Sequence, residues 1–368
     1  MADLTALKPR SGTDKLGVYE PGRPVDEVAR ELGLDPNHMI KLASNENAWG
    51  PSPAAVEAMR DAALQMHLYP DGGAFYLRKA LAEKLGVDPE MLIFGNGSNE
   101  LIEFLGHLFL EPGCNAVMSD RAFIMYKLIA ALFGAEARPA PMADGFTHDL
   151  DAMRALVDEQ TRLVFVANPN NPTGTKVRPE PLKAFIDSLP EQTLPVLDEA
   201  YIELLPPAER PDAIAWLKED RPLLILRTFS KAYGLAGLRI GYGIGDAGLI
   251  RWLEKYRQPF NCNAMAQAAA LASIQDDAYE NLIRERTRAS LIQLEEGCAA
   301  LGFDVVPSST NFLLVRTGES RKHFQALQKL GVVVRPMDGY GLREYVRITV
   351  GTEQENLRAL AALKELRA

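Results

Sequence analysis

Cysteine is scarce in this sequence: the three present, Cys114, Cys262 and Cys298, lie far apart and form no C-x-x-C pattern. That scatter suggests neither a disulfide framework nor a zinc site, and it fits reduced thiols in a cytoplasm. Long apolar runs are missing too. No stretch approaches the roughly 18 uninterrupted apolar residues of a membrane span. Met1 to Lys15 mixes Asp3, Lys8, Arg10 and Asp14 with no apolar run, which excludes a secretory signal. Nor is there an excess of positive charge. A net charge of −9 argues against general affinity for nucleic acid or an anionic membrane, so an anionic ligand must be held by locally placed arginines. The five histidines (His38, His67, His107, His148 and His323) are scattered without metal-ligand spacing, and there is no internal repeat or low-complexity tract.

What remains is an ordinary globular composition, 47% apolar and 24% charged, in a chain of 368 residues. That length fits a large domain plus a smaller one. The segment from Pro24 to Leu34 has helical periodicity, Lys41-Leu42-Ala43 resembles a short strand, and a helix starts at Pro53. The turn Asp71-Gly72-Gly73 precedes a second helix, Ala74 to Leu85, with Gly86 as its C-cap. From Met91 to about Gly245, short apolar runs alternate with helical patterns: Leu92-Ile93-Phe94, Ala116-Val117-Met118, Leu163 to Val166, Leu194 to Leu197, Leu223 to Leu226 and Arg239 to Ile244. This alternation predicts an α/β fold with a mainly parallel central sheet flanked by helices. A long helical stretch, Ala264 to Ala300, leads to strands at Asn311 to Val315, Val332 to Val334 and Tyr345 to Val350, with helices Arg321 to Leu330 and Glu353 to Arg367. These read as a smaller α/β domain. The expected division is an N-terminal arm over 1–44 joining the small domain, a large domain over 45–262, and an interdomain helix with the small C-terminal domain over 263–368.

In a parallel sheet, ligands bind beyond the carboxyl ends of the strands, and the loops there are chemically suggestive. Thr228-Phe229-Ser230-Lys231-Ala232-Tyr233-Gly234-Leu235-Ala236-Gly237-Leu238-Arg239 follows a buried strand. A lone lysine is usually a surface residue, but here Ser230 and Arg239 can donate to a phosphate and the lysine can reach an aldehyde to form an imine. Asn168-Pro169-Asn170-Asn171-Pro172-Thr173-Gly174 is rich in turn formers and could be only a turn; alternatively, Asn171 donates to a phenolic oxygen on a cofactor ring. Asp198-Glu199-Ala200-Tyr201 could place a helix-capping or ion-paired carboxylate, or could set Asp198 against a pyridine nitrogen and hold it protonated, with Tyr201 sharing the phenolic oxygen. Gly95-Asn96-Gly97-Ser98-Asn99-Glu100, before a helix beginning near Asn99, is either a capped turn or an anion site built from backbone amides. The joint occurrence favours the functional reading of all these loops. Gly243-Ile244-Gly245-Asp246-Ala247-Gly248 also fits G-x-G-x-x-G, but no acidic residue follows about 20 positions on, as a dinucleotide site requires.

With those motifs in place, the sequence resembles the fold-type I aminotransferases and, within them, the histidinol-phosphate aminotransferase family. The likeness runs from Tyr19-Glu20-Pro21-Gly22 through Asn45-Glu46-Asn47, Gly50-Pro51-Ser52-Pro53 and Tyr69-Pro70-Asp71 to Val346-Arg347-Ile348-Thr349-Val350-Gly351. The resemblance implies pyridoxal 5'-phosphate as cofactor, with Lys231 as its Schiff-base lysine and Asn171, Asp198 and Tyr201 holding the ring. Gly97, Ser98, Ser230 and Arg239 hold the phosphate, and Asn99 and Thr228 join the cofactor contacts. It further implies a homodimer in which Tyr69 reaches the partner's cofactor phosphate. Tyr19 would lie over the substrate, and Arg335 and Arg347 would receive its anionic groups. One departure is visible: the family often has a proline-rich stretch with a stacking tyrosine where this chain reads Ser119-Asp120-Arg121-Ala122-Phe123-Ile124-Met125-Tyr126. Phe123 can still stack, because the ring face supplies the contact.

The activity this implies is transamination between histidinol phosphate and 2-oxoglutarate in histidine biosynthesis. Transamination of aromatic amino acids and decarboxylation of a phosphorylated threonine are the alternatives within the cofactor class. A ligand-sensing regulator is disfavoured by the acidic charge.

Overall fold

The structure is a computed structural model that describes Thr13 and residues 22–367, apart from Lys218 and Asp220. Its strands are β1 (Ile40–Lys41), β2 (Leu92–Gly95), β3 (Asn115–Ser119), β4 (Glu136–Ala140), β5 (Thr161–Ala167), β6 (Leu194–Asp198), β7 (Leu224–Thr228), β8 (Gly241–Ile244), β9 (Asp304–Val306), β10 (Phe312–Arg316), β11 (Val332–Val333), β12 (Arg335–Pro336) and β13 (Tyr345–Thr349). A seven-stranded sheet runs β2-β8-β7-β6-β5-β3-β4. It is parallel except for β8, which is antiparallel to both neighbours. Its central strands are buried along almost their whole length, as a sheet covered on both faces requires. One apolar cluster, around Phe185, Phe229 and Ile225, and another, around Phe165, Tyr126 and Leu163, cover its two faces.

The helix Phe75–Leu85 ends where expected, with Gly86 at φ 65° as its C-cap. In the expected 264–300 helix, a break at Gln275 leaves Ala264–Ile274 and Asp277–Ala300, because the Asp276 side chain caps a fresh N-terminus by accepting from the Tyr279 amide. The first short strand is shifted to Ile40–Lys41, where it pairs with β11. A four-stranded antiparallel sheet, β12-β13-β10-β9, packs its own core of Leu313, Val346, Ile348 and Leu363. The site loops and this smaller sheet meet at Asn45. Its amide donates to the Thr349 hydroxyl at 2.9 Å, its carbonyl accepts from the Asn311 side chain at 3.0 Å, and its own side chain donates to the Tyr201 hydroxyl at 2.9 Å.

Candidate active site

The carboxyl ends of β2, β5, β6 and β7 lie at one edge of the large sheet, and the reversed strand β8 begins there. In register, Gly241 sits between Thr228 on one side and Gly95 on the other. Arg239, two residues before Gly241, is thereby delivered between the lysine loop and the Gly97 loop. A parallel β8 would have carried it to the opposite edge. Gly97 is an N-cap residue at φ 80°, and a Cβ there would collide with the Arg239 guanidinium. The helix Ser98–Phe109 starts at once, so its free amides face the same place. Arg239 Nη1 donates to the Ser230 hydroxyl at 3.4 Å, and the buried Thr228 hydroxyl accepts from the Ser230 amide at 3.1 Å. Asn99 Oδ1 is buried and unpartnered among the described residues. An arginine, a hydroxyl and helix amides together suit an anion.

Lys231 projects between the sheets. Its ammonium donates to the carbonyl oxygens of Asn45 at 3.2 Å and Ser44 at 3.4 Å, and it lies 5.8 Å from the Tyr201 ring centroid. Burial lowers its pKa to about 8; Arg347 and Arg239 push the same way, against Glu46 and Asp198. Asp198 ends β6 and is buried. Burial raises its pKa, while the Tyr126 hydroxyl, which donates to Oδ2 at 2.7 Å, and the Ala200 amide, which donates to Oδ1 at 3.2 Å, oppose the rise. Next to it, the wholly buried Glu199 accepts from Arg227 at 2.7 and 2.8 Å.

Asn171 accepts from Arg347 Nη1 at 2.5 Å. Arg347 is buried; it also donates to the Ala43 carbonyl at 2.9 Å and stands 5.1 Å from the Phe312 centroid. Arg335 is its direct cross-strand partner between β12 and β13, which sets two arginines side by side. Tyr201 and Asn171 therefore engage Asn45 and Arg347 respectively. Phe123 is half-buried on the loop after β3. Tyr69 is apart from this cluster: it is 83% exposed and stacks on Phe260 at 4.8 Å. Tyr19 lies outside the described residues. Asn45, which touches Lys231 and Tyr201, carried no role in the sequence reading. Its signal was an asparagine in a motif that tolerates a positive φ, here 54°. In the G-x-G-x-x-G run, the Asp246 carboxylate itself caps the following helix by accepting from the Gly248 and Leu249 amides, so a phosphate would meet a carboxylate there.

The arrangement fits a phosphorylated pyridine aldehyde. An amine of lowered basicity lies within electrostatic reach of a buried carboxylate suited to a ring nitrogen, and an arginine, a serine and helix amides converge where a glycine lets the arginine pack close. Among the described residues, no group of three or more potential ligands could hold a metal.

Comparison with known proteins agrees with this chemistry. Residues 37–363 match the model of the family "Aminotransferase class I and II". Histidinol-phosphate aminotransferase 2 of Pseudomonas aeruginosa is 46% identical over 369 residues, covering 100% of both chains. Histidinol-phosphate aminotransferase 1 of Thiobacillus denitrificans is 47% identical, covering 95% of this chain and 91% of the relative. Among solved structures, histidinol-phosphate aminotransferase from Sinorhizobium meliloti in complex with pyridoxal-5'-phosphate superposes with a TM-score of 0.87 at 30% identity, covering 99% of each chain.

Proposed function

Because this chain belongs to the aminotransferase class I and II family, we propose that it is a pyridoxal-phosphate enzyme that exchanges an amino group between histidinol phosphate and 2-oxoglutarate in histidine biosynthesis. The observation that carries this reading is Lys231, a lysine of lowered basicity held between backbone carbonyls and the Tyr201 ring, within electrostatic reach of Asp198 and of Arg239, which packs on Gly97. When bound, the cofactor supplies an electron-accepting ring that stabilises negative charge on the substrate's α-carbon.

The chain's own residues supply the rest. Lys231 would carry the cofactor, and its Nζ would serve as the general base for the proton on the α-carbon. Asp198 would hold the ring nitrogen protonated, and Asn171 and Tyr201 would take the ring's phenolic oxygen. Phe123 covers one ring face. Gly97, Ser98, Asn99, Thr228, Ser230 and Arg239 surround the phosphate. Arg335 and Arg347 receive the carboxylate of glutamate in one half of the exchange and the phosphate of histidinol phosphate in the other, since both anions suit a forked guanidinium.

A homodimer completes the site, with Tyr69 given to the partner's phosphate cradle. Exposure of Leu64, Met66, Leu68, Tyr69, Phe75 and Tyr76 along one stretch of chain supports this, because a lone protomer rarely shows so many large apolar side chains together. The proposed division is an arm over 1–44, a large domain over 45–262 and an interdomain helix with the small domain over 263–368; the separate seven-stranded and four-stranded sheets support it. A cytoplasmic setting fits the free, buried thiols.

The test is direct: purified protein loaded with pyridoxal phosphate, histidinol phosphate and 2-oxoglutarate should form glutamate. Borohydride reduction should fix the cofactor to the peptide containing Lys231. Label on another lysine would sink the site assignment, and turnover of phenylalanine but not histidinol phosphate would move the substrate to the aromatic amino acids.

A further inference from the structure

One buried side chain touches two of the residues given to the cofactor ring and has no role so far. Tyr126, in the helix Met125–Leu132, is 0% exposed. Its ring lies flat on Phe165 of β5, with centroids 4.5 Å apart and planes at 5°, and the Phe123 ring meets it edge-on at 5.7 Å and 85°. Its hydroxyl donates to Asp198 Oδ2 at 2.7 Å. Burial pushes the phenol well above its ordinary range, and the neighbouring carboxylate adds to that, so it stays a donor at any working pH. A buried hydroxyl needs only some acceptor. This one has a charged acceptor, and a hydrogen bond to an ion is about twice as strong as a neutral one.

We propose that Tyr126 is a positioning residue of the transamination, acting through Asp198: its hydroxyl holds the carboxylate ionised and aimed at the ring nitrogen, while its ring backs Phe123 against the ring face. The inference rests on the reading of Asp198 as the partner of that nitrogen. Phe165 and Phe123 fix the phenol's plane, so the direction from which Asp198 Oδ2 is held is fixed by packing. With Oδ1 on the Ala200 amide, the carboxylate cannot swing.

Tyr126→Phe keeps the ring and removes the donor. In the holoenzyme, the rate of the half-reaction with glutamate should fall about tenfold, the size of one charge-assisted hydrogen bond, with KM changed less than about twofold. In holoenzyme reconstituted with 15N-labelled pyridoxal phosphate, the ring-nitrogen resonance should move toward its unprotonated position. In an Asp198→Asn background the same substitution should change neither quantity, because the route is already cut. Equal losses in both backgrounds, or an unmoved nitrogen resonance, would overturn the proposal. Tyr126→His retains a donor and should hold the resonance nearer the wild-type position. If the phenylalanine variant does not fold, a histidine variant with a fully unprotonated nitrogen is the overturning result. Wild-type protein that binds cofactor but ignores histidinol phosphate refutes the substrate reading and leaves this one standing; protein that takes up no cofactor overturns both.

Discussion

In the apoprotein Lys231 is a weak base, and the rate at which it captures a free aldehyde should report that. A lysine of ordinary pKa 10.5 is uncharged in about 0.03% of molecules at pH 7, whereas one lowered to about 8 is uncharged in about 9%. Only the uncharged amine attacks a carbonyl. The structure therefore predicts roughly a 300-fold larger reactive fraction at pH 7 than for an exposed lysine. Stopped-flow mixing of apoprotein with pyridoxal phosphate, followed by the visible absorbance of the lysine-bound cofactor, gives the rate at each pH. Dividing by the rate constant of a simple alkylamine at the same pH, expressed per uncharged amine, removes the titration of the aldehyde itself. The corrected rate should rise tenfold per pH unit up to about 8 and then level. Arg347→Gln should move the break upward, because Arg347 is the second cause of the lowering after burial. A corrected rate that climbs without a break to about pH 10 would refute the account of Lys231 as desolvated.

Gly97→Ala places a Cβ against the Arg239 guanidinium at φ 80°, a conformation that costs a non-glycine residue about 1–3 kcal/mol; pyridoxal-phosphate affinity, measured by equilibrium dialysis, should fall at least about tenfold. Glu203 is buried with Oε2 unpartnered among the described residues, and burial raises its pKa from 4.5 to about 8 against the pull of Arg227, so the folded chain binds more protons than the unfolded one between those values and stability falls as pH rises through that window. Glu203→Gln does not titrate, so its melting temperature should gain on the wild type from pH 4.5 to about 8 and gain no more beyond; a constant offset would contradict the assignment. Thr352→Ala removes the capping box of the helix Glu353–Glu365 and should cost about 1 kcal/mol in chemical denaturation, with activity retained.

The strands that sequence periodicity found are those whose side chains are nearly all buried, such as β5 and β6. β4 escaped because it is an edge strand reading Glu136-Ala137-Arg138-Pro139-Ala140, with charge and proline where solvent permits them. β9 is three residues long and half-exposed, too short for alternation to register. The reversal of β8 was equally hidden, since apolar patterning carries no strand direction, yet that reversal brings Arg239 to the site. The motif lysine, aspartate and asparagine could be picked out by residue type and by their place after strands. Tyr126 could not, because three residues past Phe123 it reads as one more apolar position on a helix. Asn45 meets Lys231 through its backbone carbonyl, a contact that residue type does not reveal.

The joint at Asn45 has a consequence for the newly synthesised polypeptide. Asn45 meets Thr349 across 304 positions of chain, and the same asparagine supplies the carbonyl that Lys231 leans on. An incomplete product still on the ribosome, lacking the strand that bears Thr349 and Arg347, has its lysine loop but neither the clamp behind it nor one of the arginines that depress its basicity. Such a fragment would not trap aldehydes indiscriminately, and reactivity would be switched on only in finished molecules.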